Sequence, residues 1–149
     1  MPFVEIRNEN LLSLKELVKN EEFAFNWSIK SSQNSKTVAA INNGEILGLV
    51  EFERRPADKA NYMFLIEVAK SYRGGVIAGK LLAYVAKDSL SEGFGGFFFF
   101  ESKDALIQYY IERFGARIAR GRTLFFDEEA SKKLIKDFLG GVYNEENPI

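Results

Sequence analysis

The 149-residue sequence contains no cysteine and no histidine. Without cysteine, the chain has no disulfide, no thiolate nucleophile and no sulfur ligand for a metal. Without histidine, it lacks the most common general base and cannot form a Ser-His-Asp triad. Any acid–base chemistry must therefore use carboxylates, tyrosines, lysines or water chains, and we predict no metal site.

An excess of one charge and long apolar runs are also missing. The net charge is −1, so no broad basic field favours nucleic acid as a partner. No apolar run approaches the roughly 20 residues of a membrane span. The first residues do not form a basic and then apolar signal segment. We therefore predict a cytoplasmic protein that binds neither nucleic acid nor membranes.

The composition is that of a globular protein, with 46% hydrophobic and 28% charged residues. At this length the simplest organisation is one domain over residues 1–149, with residues 144–149 as a loose tail. Hydrophobic periodicity, glycines and capping residues define the elements, with Asn43-Gly44 as a hairpin turn and Asp104 and Asp127 as helix caps. The strand at 97–101 is expected to be parallel to the one at 62–68, because a helix connects them. Strands are predicted at 3–6, 37–41, 45–53, 62–68, 97–101, 117–120 and 122–126, helices at 11–20, 76–91, 104–115 and 128–139, and a charged loop at 54–61.

The stretch from Tyr62 to Leu90 combines a strand, a turn with glycines and an amphipathic helix. A helix start leaves backbone N–H groups unpaired and carries the positive end of the helix dipole, so this junction is a candidate phosphate site. Gly74, Gly79 and Lys80 have the spacing of a P-loop. The Ser or Thr that would hold Mg²⁺ is replaced by Leu81, which makes a nucleotide hydrolase the weaker interpretation.

The strand end at Glu67-Val68, the segment Arg73-Gly74-Gly75-x-x-Ala78 and the helix that follows resemble motif A of the GNAT N-acetyltransferases. The downstream helix with Tyr109 and Tyr110, ending at Gly115-Ala116, is similar to motif B of that family. Val76 stands in place of the first glycine of motif A, and Ala116 replaces a Phe of motif B.

This resemblance implies an α+β fold with a mixed, mostly antiparallel sheet of six or seven strands and helices on both faces. It also implies that acetyl-CoA is the co-substrate, held by backbone groups at the helix start and along the central strand. The residues expected to bind it are Val68, Arg73, Gly74, Gly75, Ala78 and Gly79.

Two residues are candidates for catalysis. Glu67 is the one carboxylate in an otherwise apolar strand, on the same side as Met63 and Leu65 by simple alternation. It is either a general base in a cleft or half of an ion pair with Lys70 or an arginine. Tyr110, or Tyr109 one position earlier, is a candidate acid for the departing thiolate, unless both rings only pack.

The aromatic residues Phe25 and Trp27 either line the acceptor cleft, as the resemblance implies, or cover the core.

We predict an N-acetyltransferase that acts on a small amine or a peptide amine by direct transfer, because no cysteine can carry an acyl group. The alternative is a catalytically silent domain of the same fold that binds CoA or a protein partner. The oligomeric state is left open, and a homodimer is one arrangement we consider.

Overall fold

The computed structural model describes residues 3–6, 15, 16, 18–24 and 34–140. Within these ranges it contains a seven-stranded sheet with the order β1-β2-β3-β4-β5-β7-β6. The strands are β1 (Phe3–Glu5), β2 (Ser35–Asn42), β3 (Glu45–Arg55), β4 (Ala60–Val68), β5 (Phe98–Glu101), β6 (Arg117–Arg120) and β7 (Thr123–Phe126). The labelled helices are α1 (Ile77–Ser91), α2 (Ile107–Phe114) and α3 (Glu128–Leu139).

Each neighbouring pair of strands is antiparallel except β4 and β5, which are parallel. The parallel pair is the consequence of a crossover through α1, since a strand–helix–strand connection returns the chain in the same direction. The predicted mixed, mostly antiparallel sheet is therefore confirmed.

Local sequence explains several boundaries. Asn43 and Gly44 both have positive φ, 52° and 77°, which is the geometry of the tight hairpin between β2 and β3. The predicted cap of α3 is confirmed, because the side chain of Asp127 accepts a hydrogen bond from the backbone N–H of Ala130 at 2.9 Å. Gly115 ends α2 in the left-handed conformation.

The two faces of the sheet bury separate apolar clusters. Helices α1, α2 and α3 pack on one face, and their residues Leu81, Tyr110 and Leu134 belong to the larger cluster. On the opposite face a smaller cluster includes Ile6 and Phe23. Within the described ranges, no helix combines the length and apolar character needed to cross a bilayer.

Some boundary predictions were wrong. The charged loop expected at 54–61 is shorter, because β3 continues to Arg55 and β4 begins at Ala60, with a short 3₁₀ turn (Pro56–Asp58) between them. Asp104 does not cap α2: it lies in a 3₁₀ turn (Asp104–Leu106) that precedes the helix. Smaller differences of one or two residues occur at the ends of other strands.

The predicted helix at 11–20 lies largely outside the described residues, although residues 15, 16, 18 and 19 are helical. Phe25, Trp27 and the predicted tail at 144–149 also lie outside them. The organisation of residues 1–149 as one domain remains a prediction.

Candidate active site

The site lies where β4 and β5 separate. They pair over only three positions, from Asn61 with Phe98 to Met63 with Phe100. Beyond Met63, β4 continues to Val68 without a partner on that side in the described part of the chain. The gap leaves backbone groups of β4 accessible from the cavity between the strands.

A bulge in β4 marks the start of this gap. Glu51 of β3 pairs with Leu65, whereas the next residue, Phe52, pairs with Met63, so Phe64 is an extra residue in β4. The bulge inverts the alternation of side chains, and Met63 packs in the larger cluster while Leu65 packs in the smaller one. The prediction that Glu67 shares a face with Met63 was therefore wrong, although it does share one with Leu65.

A cavity of about 570 Å³ occupies the gap. Its volume is within the range of small-molecule and cofactor sites, roughly 300–1,000 Å³. The second half of β4 and the glycine turn form one wall, and the end of β5 with the start of α2 forms the other. The predicted residues that line it are Glu67, Val68, Arg73, Gly74, Gly75, Ala78, Tyr109 and Tyr110.

The glycine turn leads directly into the N-terminus of α1. Gly74 has φ of 83°, which a residue with a β-carbon adopts only with strain. A β-carbon on Gly75 would meet only the Tyr72 carbonyl oxygen, at 3.7 Å, so space there is open. No described side chain caps α1, whose N-cap residue is Val76. The first amides of the helix are thus available to an anion.

The predicted role of Gly79 in cofactor binding stays a prediction, and the structure shows a packing reason for its missing side chain. A β-carbon at this position would lie 2.3–2.5 Å from ring atoms of Phe138 in α3. The glycine therefore permits close packing of two helices, and this finding gives no support to its backbone being exposed for phosphate. The neighbouring Lys80 donates a hydrogen bond to the Phe138 carbonyl at 3.0 Å, an arrangement that does not favour the P-loop interpretation.

The Glu67 carboxylate is buried on the wall of the cavity, with its side chain 4% exposed. Its Oε2 accepts a hydrogen bond from the backbone N–H of Ala24 at 2.7 Å. The same oxygen lies 3.6 Å from Nη2 of Arg73. The expected basic partner is therefore Arg73 rather than Lys70, and Glu67 combines an ion pair with a position on the cavity wall.

The two tyrosines of α2 differ in environment. Tyr110 is 8% exposed and its ring packs edge-on against Phe100, whereas Tyr109 is 42% exposed. Burial, and secondarily the neighbouring Tyr109, raises the pKa of Tyr110 to about 12. Both rings line the cavity, so the structure brings Tyr110 to the same space as Glu67 without distinguishing which tyrosine acts.

Sequence reasoning missed several residues that shape the cavity. Phe64, Ser102 and Leu106 line it, and none has a motif or a charge that would have marked it. Glu22 was also missed: it stabilises the turn before Arg73, because its carboxylate accepts a hydrogen bond from the backbone N–H of Ser71 at 2.9 Å. Among the described residues, no cluster of carboxylates suited to a metal ion is present.

Comparison with known proteins identifies the family of this chain. A sequence model described as "Acetyltransferase (GNAT) family" matches residues 3–116, well over half of the chain. The chain belongs to the GNAT acetyltransferase family. The enzyme class expected from the sequence, an N-acetyltransferase, is confirmed by this membership. No curated protein sequence gives a significant match.

Solved structures of GNAT proteins share the fold at low identity. An acetyltransferase of the GNAT family from Staphylococcus aureus Mu50 is 20% identical, with 85% of this chain and 98% of that chain covered and a TM-score of 0.63. A ribosomal-protein alanine N-acetyltransferase from Escherichia coli is 14% identical, with coverage of 85% and 92% and a TM-score of 0.65. YhhK from E. coli, whose solution structure has coenzyme A bound, is 13% identical, with coverage of 83% and 95% and a TM-score of 0.61.

Proposed function

We propose that this protein transfers an acetyl group from acetyl-CoA directly to the nitrogen of a small amine or a peptide amine in the cytoplasm. The main support is the cavity between the separated strands β4 and β5, which opens beside the uncapped N-terminus of α1. The uncapped helix start is suited to an anionic cofactor, and the buried carboxylate of Glu67 lies on the wall of the same cavity.

The residues present fit acetyl-CoA. Backbone amides from Gly74 to Ala78 are suited to its pyrophosphate, because the open space beside Gly75 lets phosphate oxygens approach the main chain. The unpaired edge of β4 near Val68 is suited to the amide groups of the pantetheine arm. Acetyl-CoA supplies an activated acyl group on a thiolate leaving group.

Glu67 is the proposed general base. An amine must lose a proton before or during attack on the acyl carbon, and a carboxylate on the wall of the cavity is placed to accept it. Its hydrogen bond from Ala24 fixes the orientation of the carboxylate. Because the chain has no histidine, the base must be another side chain, and the Glu67 carboxylate is buried on the cavity wall.

Tyr110 is the proposed hydrogen-bond donor to the departing thiolate. With a pKa of about 12, its hydroxyl stays protonated at any working pH. Complete proton transfer to a thiolate of ordinary pKa, near 8.5, would be uphill by about 5 kcal/mol. Tyr110 therefore stabilises the developing negative charge mainly by donating a hydrogen bond, which is a more limited role than that of a full acid.

Binding of acetyl-CoA tests this proposal. We expect acetyl-CoA and CoA to raise the melting temperature of the purified protein and Mg-ATP alone to leave it unchanged, since a ligand in 100-fold excess over its dissociation constant adds about 2.7 kcal/mol. Gly75→Asp should abolish the shift, because it adds bulk and negative charge at the phosphate site.

The substitution is well suited to the test because a side chain on Gly75 meets open space and should not disturb folding. Unchanged affinity in folded Gly75→Asp would refute this placement of the cofactor. Cofactor binding without acetylation of any amine tested would support the alternative of a catalytically silent CoA-binding domain.

A further inference from the structure

Arg73 precedes the glycine turn, yet its side chain points back along β4. Its Nε donates a hydrogen bond to the Val68 carbonyl at 3.2 Å, and its Nη2 lies 3.6 Å from Oε2 of Glu67. The guanidinium therefore contacts the carbonyl at the unpaired end of β4 and the carboxylate proposed as the base. The side chain of Arg73 is 54% exposed, which leaves it room to adopt another position.

Two anions compete for this guanidinium. Glu67 is nearly fully buried, and a buried carboxylate depends on donors and cations for its stability. The phosphates of acetyl-CoA, if bound at Gly74 and Gly75, would lie within one or two residues of Arg73. Arginine binds phosphate strongly because its planar group can donate two parallel hydrogen bonds.

The ammonium group of an amine acceptor is a second cation that needs Glu67. While the Arg73 guanidinium lies against Oε2, an incoming ammonium must share or displace it. Movement of Arg73 toward phosphate would remove this competition and leave the Val68 carbonyl free to accept a hydrogen bond from the pantetheine arm.

We infer that Arg73 is a positioning residue shared between Glu67 and the phosphates of acetyl-CoA, so that cofactor binding releases the base for the amine. This inference rests on the proposed function. It makes the two substrates bind cooperatively, and the coupling must be reciprocal: the amine strengthens cofactor binding by the factor by which the cofactor strengthens amine binding.

A double-mutant cycle tests the sharing without any turnover. Dissociation constants of acetyl-CoA are measured by calorimetry for wild type, Glu67→Gln, Arg73→Gln and the double mutant. We expect Glu67→Gln to tighten binding about threefold, the size of a partly exposed ion pair, because the guanidinium is no longer held back. In the Arg73→Gln background the same substitution should change the constant by much less.

The Arg73→Gln background separates two effects that Glu67→Gln could have on acetyl-CoA binding. Loss of the Glu67 charge also reduces its long-range repulsion of phosphate, but that effect is common to both backgrounds and cancels in the cycle. Arg113→Gln is a matched control, since this second arginine beside the glycine turn donates a hydrogen bond from Nη2 to the Gly75 carbonyl oxygen at 3.5 Å. In that background the threefold gain should persist.

Steady-state kinetics give a second readout. In wild type the KM for the amine should fall as acetyl-CoA approaches saturation, and in Arg73→Gln it should not change. If Arg73→Gln does not fold, Arg73→Lys takes its place, because a single point charge cannot bridge the same pair of acceptors.

Equal effects of Glu67→Gln in both Arg73 backgrounds, with wild type binding acetyl-CoA and acetylating amines, would overturn the shared role of Arg73 alone. Failure of wild type to bind acetyl-CoA would overturn the proposed function together with this inference.

Discussion

The two halves of β4 differ in their pairing with β5: residues 61–63, the closed half, pair with it, and residues 65–68, the open half, do not. In the first half the strand pairs with β5, and Asn61 and Met63 are buried. In the second half the pairing with β5 ends, and residues from Leu65 to Val68 line a cavity. Phe64 lies between the halves as the extra residue of the bulge, so a single inserted position separates a packed strand from a binding wall.

Polar contacts stabilise the closed half of β4 in addition to apolar packing. The side-chain amide of Asn61 donates to the Val85 carbonyl and to the carboxylate of Asp88, both at 3.1 Å. Arg54 donates two hydrogen bonds to the same carboxylate, at 2.7 and 3.0 Å. These contacts fix β4 against α1 at Asn61, which is not among the residues that line the cavity.

The largest expected effect comes from removing a buried ring of β5 that lies beside the closed half of β4. Phe98 is fully buried and stacks on Phe126 with ring centroids 4.6 Å apart. Phe98→Ala should lower the free energy of unfolding by about 3–5 kcal/mol, because it removes a large buried ring and leaves a cavity. Urea denaturation measures the loss.

Phe99→Ala is the matched control for that measurement. Phe99 is on the opposite face of the same strand and is only half-buried, so its truncation should cost clearly less. Equal losses for the two variants would contradict the view that Phe98 secures the closed half from the helix side.

A smaller effect is expected from the open half. Tyr110→Phe keeps the packing of the ring on Phe100 and removes only the hydroxyl. We expect turnover to fall by roughly 10²-fold with acetyl-CoA affinity unchanged, as is typical when a group that acts in the transition state is lost. Tyr109→Phe, one residue away on the same helix, should leave turnover near wild type, and the reverse result would assign the role to Tyr109.

The pKa of Tyr110 gives this variant a pH signature. The folded protein keeps the hydroxyl protonated up to about pH 12, whereas in the unfolded chain a tyrosine ionises near 10. Stability from this group is therefore fully present below pH 10 and is lost as the pH rises from 10 to 12. Tyr110→Phe should lose less stability than wild type in that window, measured by urea denaturation at each pH.

Much of the fold could be predicted from the sequence because its signals are local. The Asn43-Gly44 hairpin, the cap at Asp127 and the parallel pairing of β4 with β5 each follow from a few neighbouring residues or from the order of elements. The family resemblance implied a mixed sheet of six or seven strands, and the described sheet has seven.

The open half was predicted less well because its geometry depends on non-local contacts. An almost unbroken apolar strand carries no signal for a bulge at Phe64, so the face of Met63 was inverted relative to Glu67. The direction of the Arg73 side chain depends on Val68 and Glu67 once they are folded together. Sequence spacing likewise could not show that a side chain at Gly79 would overlap the ring of Phe138.

The smallest expected effect distinguishes two glycines that the sequence treats alike. In Gly79→Ala, the new methyl group overlaps the ring of Phe138, and overpacking of this kind typically costs about 1–3 kcal/mol. Replacing glycine inside a helix also gains about 1 kcal/mol of helix propensity. Because Phe138 is only partly buried at the end of α3, its ring can shift, and we expect a net loss of about 1 kcal/mol.

Gly75→Ala should behave in the opposite way. Its methyl group enters open space, so the free energy of unfolding should stay within about 0.5 kcal/mol of wild type, while acetyl-CoA affinity falls because the methyl group occupies the approach to the turn. Phe138→Leu provides the internal check, since a smaller side chain on α3 should reduce the cost of Gly79→Ala and leave Gly75→Ala unaffected. If Gly79→Ala instead weakens acetyl-CoA binding without loss of stability, the glycine serves the cofactor after all, and the packing explanation fails.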